Sequence, residues 1–256
     1  MNRLDTLFNS KKKNLLSIFT TAGYPQLSDT LLVVKALQDS GVDFIEVGIP
    51  FSDPLADGPI IQESSTVALE NGMTLKLLLS QIVEIRKEVA LPILLMGYIN
   101  PVLQYGIENL AKKCSEVGVD GIIIPDLPMR EFLEDYQSIF AKYDIKNIFL
   151  VTPQTSEERI RFIDEHSSSF IYLVSSSSTT GKKVGIEGAE AYLSRIQKMN
   201  LKSPTMVGFN ISNKESFESA TRFADGAIIG SAFVKAIAGQ ADVALAAKNF
   251  VRAIRA

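Results

Sequence analysis

The chain has 256 residues, 46% of them hydrophobic, and a formal net charge of -3. This length suits one large core, and α/β barrels commonly reach about 250 residues as one domain, so we expect a single domain over residues 1–256. The nearest approach to a basic run, Lys11 to Lys13, fits a solvated turn better than a nucleic-acid contact, because such contacts cluster more basic residues on one face. Nucleic acid is therefore not an expected partner.

A single cysteine, Cys114, and a single histidine, His166, limit the chemistry. One thiol excludes a disulfide within the chain, and the two residues are too few for a His/Cys zinc site. Cys114 lies in a helical pattern and is interpreted as buried core rather than as a nucleophile, and His166 as a helix end. Met1 to Thr6 carry charges where a signal peptide needs an apolar core, and no apolar run reaches about 18 residues. We therefore expect a cytoplasmic protein.

The first predicted element is a helix over residues 2–9, and short β-branched runs alternate with helical stretches after it. This alternation is typical of βα units around a parallel sheet, and eight strands are the number that closes a (β/α)8 TIM barrel. The predicted strands are Leu15–Ala22, Val42–Ile49, Ile93–Tyr98, Gly121–Pro125, Asn147–Thr152, Phe170–Ser175, Thr205–Ile211 and Gly226–Gly230. A doubly wound open sheet is the alternative, but no Gly-x-Gly-x-x-Gly follows the first strand.

The sequence predicts where two helices begin or end. An amphipathic helix is predicted over Thr30–Asp39, with Gly41 as its C-terminal cap. A capping box is predicted at Ser212 and Glu215, directly after the seventh strand.

The second strand carries an acidic residue, Glu46, among apolar neighbours. Side chains alternate along a strand, so if Ile45 and Val47 pack on the helices, Glu46 points into the barrel. Gly48 then leaves room above the carboxyl group. Burial raises a carboxyl pKa toward neutrality, which suits a group that both gives and takes a proton. A structural salt bridge inside the barrel is the alternative.

The loop after this strand contains Asp53 and Asp57 and is stiffened by Pro54 and Pro59. Loops rich in Asp, Gly and Pro are usually solvated turns. Position favours Asp57, because a loop at the C-terminal end of a barrel strand overlooks the pocket in which Glu46 would lie.

Three glycine-containing segments in the last third of the chain indicate phosphate binding. They are Gly181, Gly208 to Asn210 and Gly230-Ser231, and they follow the sixth, seventh and eighth strands. Backbone N–H groups at such positions can hold an anion without a basic side chain, and barrels often bind phosphate after strands seven and eight. The Ser/Thr-rich segment 175–181 is interpreted as a mobile lid, with a flexible linker as the alternative.

The segment Glu46–Pro59, EVGIPFSDPLADGP, resembles the signature of the tryptophan synthase α subunits. The resemblance extends over the chain through five further segments: Phe19–Pro25, Met96–Pro101, Pro125–Pro128, Tyr172–Ser175 and Ile229–Ser231. It implies a (β/α)8 barrel that cleaves indole-3-glycerol phosphate to indole and glyceraldehyde 3-phosphate by a retro-aldol reaction.

The resemblance also implies roles for single residues. Glu46 would shuttle protons between the indole C3 carbon and the glycerol hydroxyl, and Asp57 would accept from the indole N–H. The substrate would contact Tyr172, Phe19, Tyr98, Ile124, Leu173 and Thr180, and the phosphate would contact Gly181, Asn210, Gly230 and Ser231. No strand has an interior lysine for Schiff-base chemistry, so carbon–carbon cleavage would proceed by acid–base catalysis alone.

Two departures from the family pattern concern the lid and the phosphate cradle. Ser176, Ser178 and Thr179 stand where the family usually has arginine, glycine and valine, so lid closure is expected to differ. Asn210 stands where glycine is usual, and asparagine tolerates positive φ better than most residues, so phosphate binding is expected to survive.

The partner implied is the pyridoxal-phosphate-dependent β subunit, with contacts at Asp53, Pro54, Asn100 and Pro128. No cofactor or metal is expected in this chain. Two alternatives are a mainly regulatory α subunit that needs its β partner for activity, and a sugar-phosphate isomerase or indole-glycerol-phosphate synthase relative on the same barrel.

Overall fold

A computed structural model of the chain describes residues 2–174, 186–208 and 210–256, without the side chains of residues 186–188. Eight parallel strands close a barrel in the order of the sequence, β1 to β8. The strands are β1 Leu15–Thr21, β2 Phe44–Gly48, β3 Ile93–Met96, β4 Gly121–Ile123, β5 Lys146–Val151, β6 Ile171–Val174, β7 Thr205–Gly208 and β8 Gly226–Ile229. The barrel predicted from the alternation of strands and helices is confirmed.

Helices precede β1 and follow each strand. They are α1 Arg3–Ser10, α2 Asp29–Asp39, α3 Pro59–Glu70, α4 Leu75–Ile85, α5 Ile99–Tyr105, α6 Ile107–Val117, α7 Met129–Glu131, α8 Gln137–Lys142, α9 Glu157–His166, α10 Ile186–Lys198, α11 Lys214–Thr221, α12 Ser231–Ile237 and α13 Val243–Arg255. A π-helical segment, Phe132–Tyr136, joins α7 to α8. In the part of the chain that the structure describes, no helix has the length and apolar character needed to cross a bilayer.

Most strands are shorter than predicted. The predicted runs are longer because single backbone hydrogen bonds between neighbouring strands continue beyond the regular ladder. The N–H of Ile49 still donates to Met96 O at 2.7 Å, although β2 ends at Gly48. The N–H of Gly97 likewise donates to Ile123 O at 3.0 Å. The apolar pattern therefore marks the hydrogen-bonded run, which extends one residue into the loops at the C-terminal edge.

Side chains alternate between two apolar layers, as the period of two in β-strands requires. Ile45 and Val47 belong to the outer cluster between strands and helices, whereas Phe44 belongs to the inner cluster. Helix α1 closes the N-terminal end of the barrel, since its Phe8 ring lies 6.3 Å from the ring of Phe44 and 5.6 Å from that of Phe170.

The predicted end of α2 is confirmed, because Gly41 follows the helix with a φ of +80°, a left-handed conformation that suits glycine. The capping box at Ser212 and Glu215 is wrong by one residue. Asn213 caps α11 instead: its Oδ1 accepts from Ser216 N at 2.9 Å, and Ser216 Oγ accepts from Asn213 N at 3.1 Å. Asparagine is as good a cap as serine, so the residue pattern alone does not separate the two registers.

The cysteine and the histidine lie where the sequence predicted. Cys114 is fully buried in α6, and burial raises the pKa of its thiol to about 12. His166 is the last residue of α9, and its Nδ1 lies 2.9 Å from Phe162 O. Neither residue contributes to the site described below.

Candidate active site

Glu46 lies in the middle of β2 with its side chain inside the barrel. It is 0% exposed, and neither carboxyl oxygen has a hydrogen-bond partner among the described residues. Burial raises the pKa of Glu46 to about 8. Burial thus favours the protonated form at neutral pH. Because no basic side chain bonds to Glu46 in the described part of the chain, the salt bridge left open by the sequence is not formed there.

The ring of Phe19 fills the space that Gly48 leaves above Glu46. A Cβ atom built on Gly48 would lie 2.5 Å from Phe19 Cζ, far inside van der Waals contact. Phe19 is the neighbour of Glu46 in the ladder between β1 and β2. Glycine at this position is thus required by an aromatic ring packed on the backbone.

Tyr172 points into the barrel from β6 and is almost completely buried. A Cβ atom on Gly208 of the adjacent strand would lie 2.2 Å from Tyr172 Oη, so the hydroxyl depends on this glycine. Burial raises the pKa of Tyr172 well above its ordinary value, and the charges of Glu46 and Asp57 raise it further. The phenol stays protonated and lies in the same electrostatic environment as both acids.

Asp57 lies in the loop between β2 and α3 and is half-buried. Its Oδ2 accepts a hydrogen bond from Tyr98 Oη at 2.9 Å, and Tyr98 Oη accepts one from the N–H of Ala56 at 3.0 Å. Burial raises the pKa of Asp57, while the bond from Tyr98 acts in the opposite direction. Tyr98 was predicted only as a wall of the pocket, and its hydroxyl is what holds the loop.

A cavity of about 490 Å³ opens at the C-terminal edge of the barrel. Its apolar lining includes Phe19, Ile60, Ile61, Met96 and Ile228. Its polar side chains are those of Asp57, Tyr172, Asn210, Ser212, Ser231 and Lys235. Glu46 is absent from the lining formed by residues 2–174, 186–208 and 210–256, in keeping with its complete burial.

Three described residues from the segments predicted to bind phosphate, Asn210, Gly230 and Ser231, line this cavity. Asn210 has a φ of +59°, the left-handed conformation that asparagine tolerates better than most residues. Gly230 caps α12 and Ser231 begins it, and both line the cavity together with Asn210. Gly181 and Thr180, with the rest of the predicted lid, lie outside the described residues.

The structure does not bring all predicted substrate contacts to the cavity. Leu173 and Ile124 are buried in the outer cluster, on the face of the sheet that packs against helices. Tyr98 lines a separate, smaller cavity beside Asp57 and Phe19. Ile60, Ile61, Ser212 and Lys235 line the cavity without having been predicted to do so. They lie on helices or in the residues just before a helix. The hydrophobic periodicity of one segment does not predict which face of a helix will line a cavity.

The four residues expected to contact a β subunit lie after three consecutive strands. Asp53 and Pro54 follow β2, Asn100 lies in α5 after β3, and Pro128 precedes α7 after β4. Asp53, Asn100 and Pro128 are exposed, and Pro54 is partly exposed. All four are therefore on the edge of the barrel that also carries the cavity.

Comparison with known proteins agrees with this geometry. Residues 6–254 match the family model described as "Tryptophan synthase alpha chain". The chain is 57% identical to a tryptophan synthase alpha chain of Flavobacterium psychrophilum over 92% of this chain and 93% of that one, and 53% identical to one of Parabacteroides distasonis over the full length of both.

Solved structures give the same answer. The subunit alpha of tryptophan synthase from Legionella pneumophila superposes with a TM-score of 0.90 at 34% identity, covering 100% of this chain and 97% of that one. A chain of the tryptophan synthase complex from Pyrococcus furiosus superposes with a TM-score of 0.85 at 34% identity, covering 96% and 99%. The chain therefore belongs to the tryptophan synthase alpha chain family.

Proposed function

We propose that this chain cleaves indole-3-glycerol phosphate to indole and glyceraldehyde 3-phosphate by acid–base catalysis, as the α subunit of a tryptophan synthase in the cytoplasm. The observation that carries the proposal is Glu46, a fully buried carboxyl group without a partner in the described chain, whose pKa is raised to about 8. A lone buried acid costs stability, and such groups cluster at active sites. Membership of the family supports the choice of substrate.

Glu46 acts first as an acid and then as a base. It donates its proton to C3 of the indole ring, which leaves a positive charge on the ring. The bond between C3 and the glycerol chain then breaks, its electrons returning to the ring, as the glycerol hydroxyl next to that bond gives its proton to Glu46. The acid is regenerated, and a pKa near the working pH suits both transfers.

Asp57 stabilises the charged ring. An ionised carboxylate that accepts from the indole N–H gains favourable interaction when the ring becomes positive, which lowers the barrier. The hydrogen bond from Tyr98 favours the ionised form of Asp57 and fixes its position. One acid kept protonated by complete burial and one held ionised in a wetter loop take two roles through their surroundings.

The cover over Glu46 sets a condition on this chemistry. Since Glu46 is fully buried and does not line the cavity formed by the described residues, the acid reaches a substrate there only after a side-chain movement, and the group proposed to move is the Phe19 ring that packs on Gly48. The same observation favours the second candidate function, an α subunit with little activity of its own that becomes active when its β partner stabilises the open arrangement. We propose that this partner docks at Asp53, Pro54, Asn100 and Pro128, on the edge described above.

The phosphate binds at the polar end of the cavity. Asn210, Gly230 and Ser231 supply backbone N–H groups and a hydroxyl there, and Gly181 belongs to the proposal by family resemblance. Tyr172, Phe19 and Tyr98 contact the substrate, together with Thr180, while Leu173 and Ile124 contribute by packing the strands behind it. No cofactor takes part in the steps proposed.

Indole release is the direct test. Purified chain is given indole-3-glycerol phosphate, alone and with a β subunit from a related bacterium, and indole is measured. Indole in both samples supports an independent lyase, and indole only with the partner supports the second candidate. Absence of indole from both samples would overturn the proposed function.

A further inference from the structure

Lys235 is the feature of the cavity that the roles above leave unused. It lies in α12 and lines the cavity wall, where it is the one cationic side chain among the described residues. Its ammonium group makes no ion pair or hydrogen bond with another residue of the described ranges, whereas thirteen other basic side chains in those ranges form ion pairs. An uncompensated positive charge therefore faces a cavity assigned to an anionic substrate.

The position of Lys235 in α12 directs this charge toward Ser231. The two residues are four positions apart, so they lie on the same helix face, about 6 Å apart along the axis. Side chains on an α-helix lean toward its N-terminus, and lysine has a flexible stem of four carbons. An extended Lys235 thus brings its ammonium group back to the first turn, where Gly230 and Ser231 line the same cavity.

The charges in the cavity support a role for Lys235 in binding the substrate. The other charged residue in the described lining is Asp57, which the proposed mechanism needs in its ionised form. A phosphate dianion that enters the same cavity is repelled by this carboxylate, and backbone N–H groups offer only partial charges in return. A full positive charge at the phosphate end offsets the repulsion, and its bond to phosphate is charge-assisted.

We infer that Lys235 is a specificity-determining residue that binds the phosphate of the substrate and selects phosphorylated over unphosphorylated indole glycerol. The inference rests on the proposed function for the identity of the substrate. It assigns Lys235 to ground-state binding, so it affects KM for the substrate and the affinity for any small phosphate ester, with little effect on kcat.

The test compares Lys235→Met and Lys235→Arg with a matched control, Lys76→Met. Lys76 is an exposed lysine of α4 that does not line the cavity. KM and kcat are measured with indole-3-glycerol phosphate, and the dissociation constants of glycerol 3-phosphate and of indole are measured by calorimetry. Circular dichroism confirms folding, and Lys235→Gln replaces the methionine variant if that variant is unfolded.

We expect Lys235→Met to raise KM and the dissociation constant of glycerol 3-phosphate by about tenfold each, the size of one partly exposed charge-assisted contact. The indole affinity and kcat should stay within about twofold of the wild type, and Lys235→Arg and Lys76→Met should bind glycerol 3-phosphate normally. An unchanged affinity for glycerol 3-phosphate in folded Lys235→Met would overturn the inference. A wild-type chain that binds glycerol 3-phosphate but releases no indole either alone or with a β subunit would overturn the proposed function instead.

Discussion

Tyr98 and Asp57 are joined by a hydrogen bond of 2.9 Å between the phenol hydroxyl and Oδ2, although 41 residues separate them in the chain. The same hydroxyl accepts from the N–H of Ala56, so one side chain fixes both the carboxylate and the loop that carries it. The aromatic residue after β3 thereby determines where the acidic residue after β2 lies.

Tyr98→Phe should remove this hydrogen bond while keeping the aromatic ring. The hydrogen bond lowers the pKa of Asp57, so its loss should raise that pKa and shift the acidic limb of the kcat/KM profile to higher pH. We expect kcat/KM at pH 7 to fall about tenfold, equivalent to about 1.4 kcal/mol. Tyr143→Phe, which removes a hydroxyl bonded to exposed Glu108, is the control. A profile identical to the wild type would contradict the role given to Tyr98.

Glu46→Gln should abolish turnover while leaving binding intact. Glutamine has nearly the shape of the protonated acid but cannot exchange a proton, and general acid–base groups contribute about 10² to 10⁴ in rate. We expect kcat for indole release to fall by at least about 100-fold with KM nearly unchanged. Glu70→Gln, in an exposed position of α3, is the control. Retention of most of the wild-type rate would show that another group moves the proton.

The same substitution should change how stability depends on pH. The folded chain holds the Glu46 proton up to about pH 8, whereas an ordinary glutamate, as in the unfolded chain, releases it near pH 4.5. Between these values the folded state binds the extra proton, so the free energy of unfolding falls as pH rises, by up to about 1.4 kcal/mol per unit. Below pH 4.5 both states hold the proton and the effect disappears.

Urea unfolding of the wild type and Glu46→Gln at pH 5, 6.5 and 8 measures this dependence. From pH 5 to 8 the difference between the two unfolding free energies should move in favour of the variant by about 3 kcal/mol. Two parallel curves would mean that the carboxyl group is not held protonated by the fold.

Gly208→Ala should displace the hydroxyl of Tyr172. The new methyl group would lie 2.2 Å from Tyr172 Oη, inside a closed barrel with little room to adjust. Overpacking of this kind costs about 1–3 kcal/mol, which should appear as a lower Tm together with a slower indole release. Gly58→Ala, where the new methyl group has no neighbour within 4 Å, should leave Tm nearly unchanged. Equal Tm values for the two variants would contradict the packing argument.

The barrel and the identity of its acids follow from local patterns. Apolar alternation in β2 places Ile45 and Val47 outward, and the one acidic residue of the opposite face, Glu46, then lies inside. The order of strands follows because parallel βα units place neighbours in sequence side by side. These properties depend on residues within one element and can therefore be predicted from the sequence.

Contacts between distant segments were not predictable in the same way. The packing of Phe19 on Gly48 and the hydrogen bond from Tyr98 to Asp57 join side chains of different βα units. The position of Lys235 was not predictable either, because the sequence of α12 alone does not show which of its polar residues lines a cavity. Leu173 and Ile124 show it in reverse: the apolar character that suits a pocket wall suits the outer cluster equally well.

Helix α1 has an influence that reaches the opposite end of the barrel. With Leu4 and Phe8 stacked beneath Phe44, it seals the cylinder against water entering from below. Burial is the cause of the raised Glu46 pKa, so trimming the first ten residues is expected to hydrate the interior of the barrel and to lower that pKa toward the ordinary value of a glutamate.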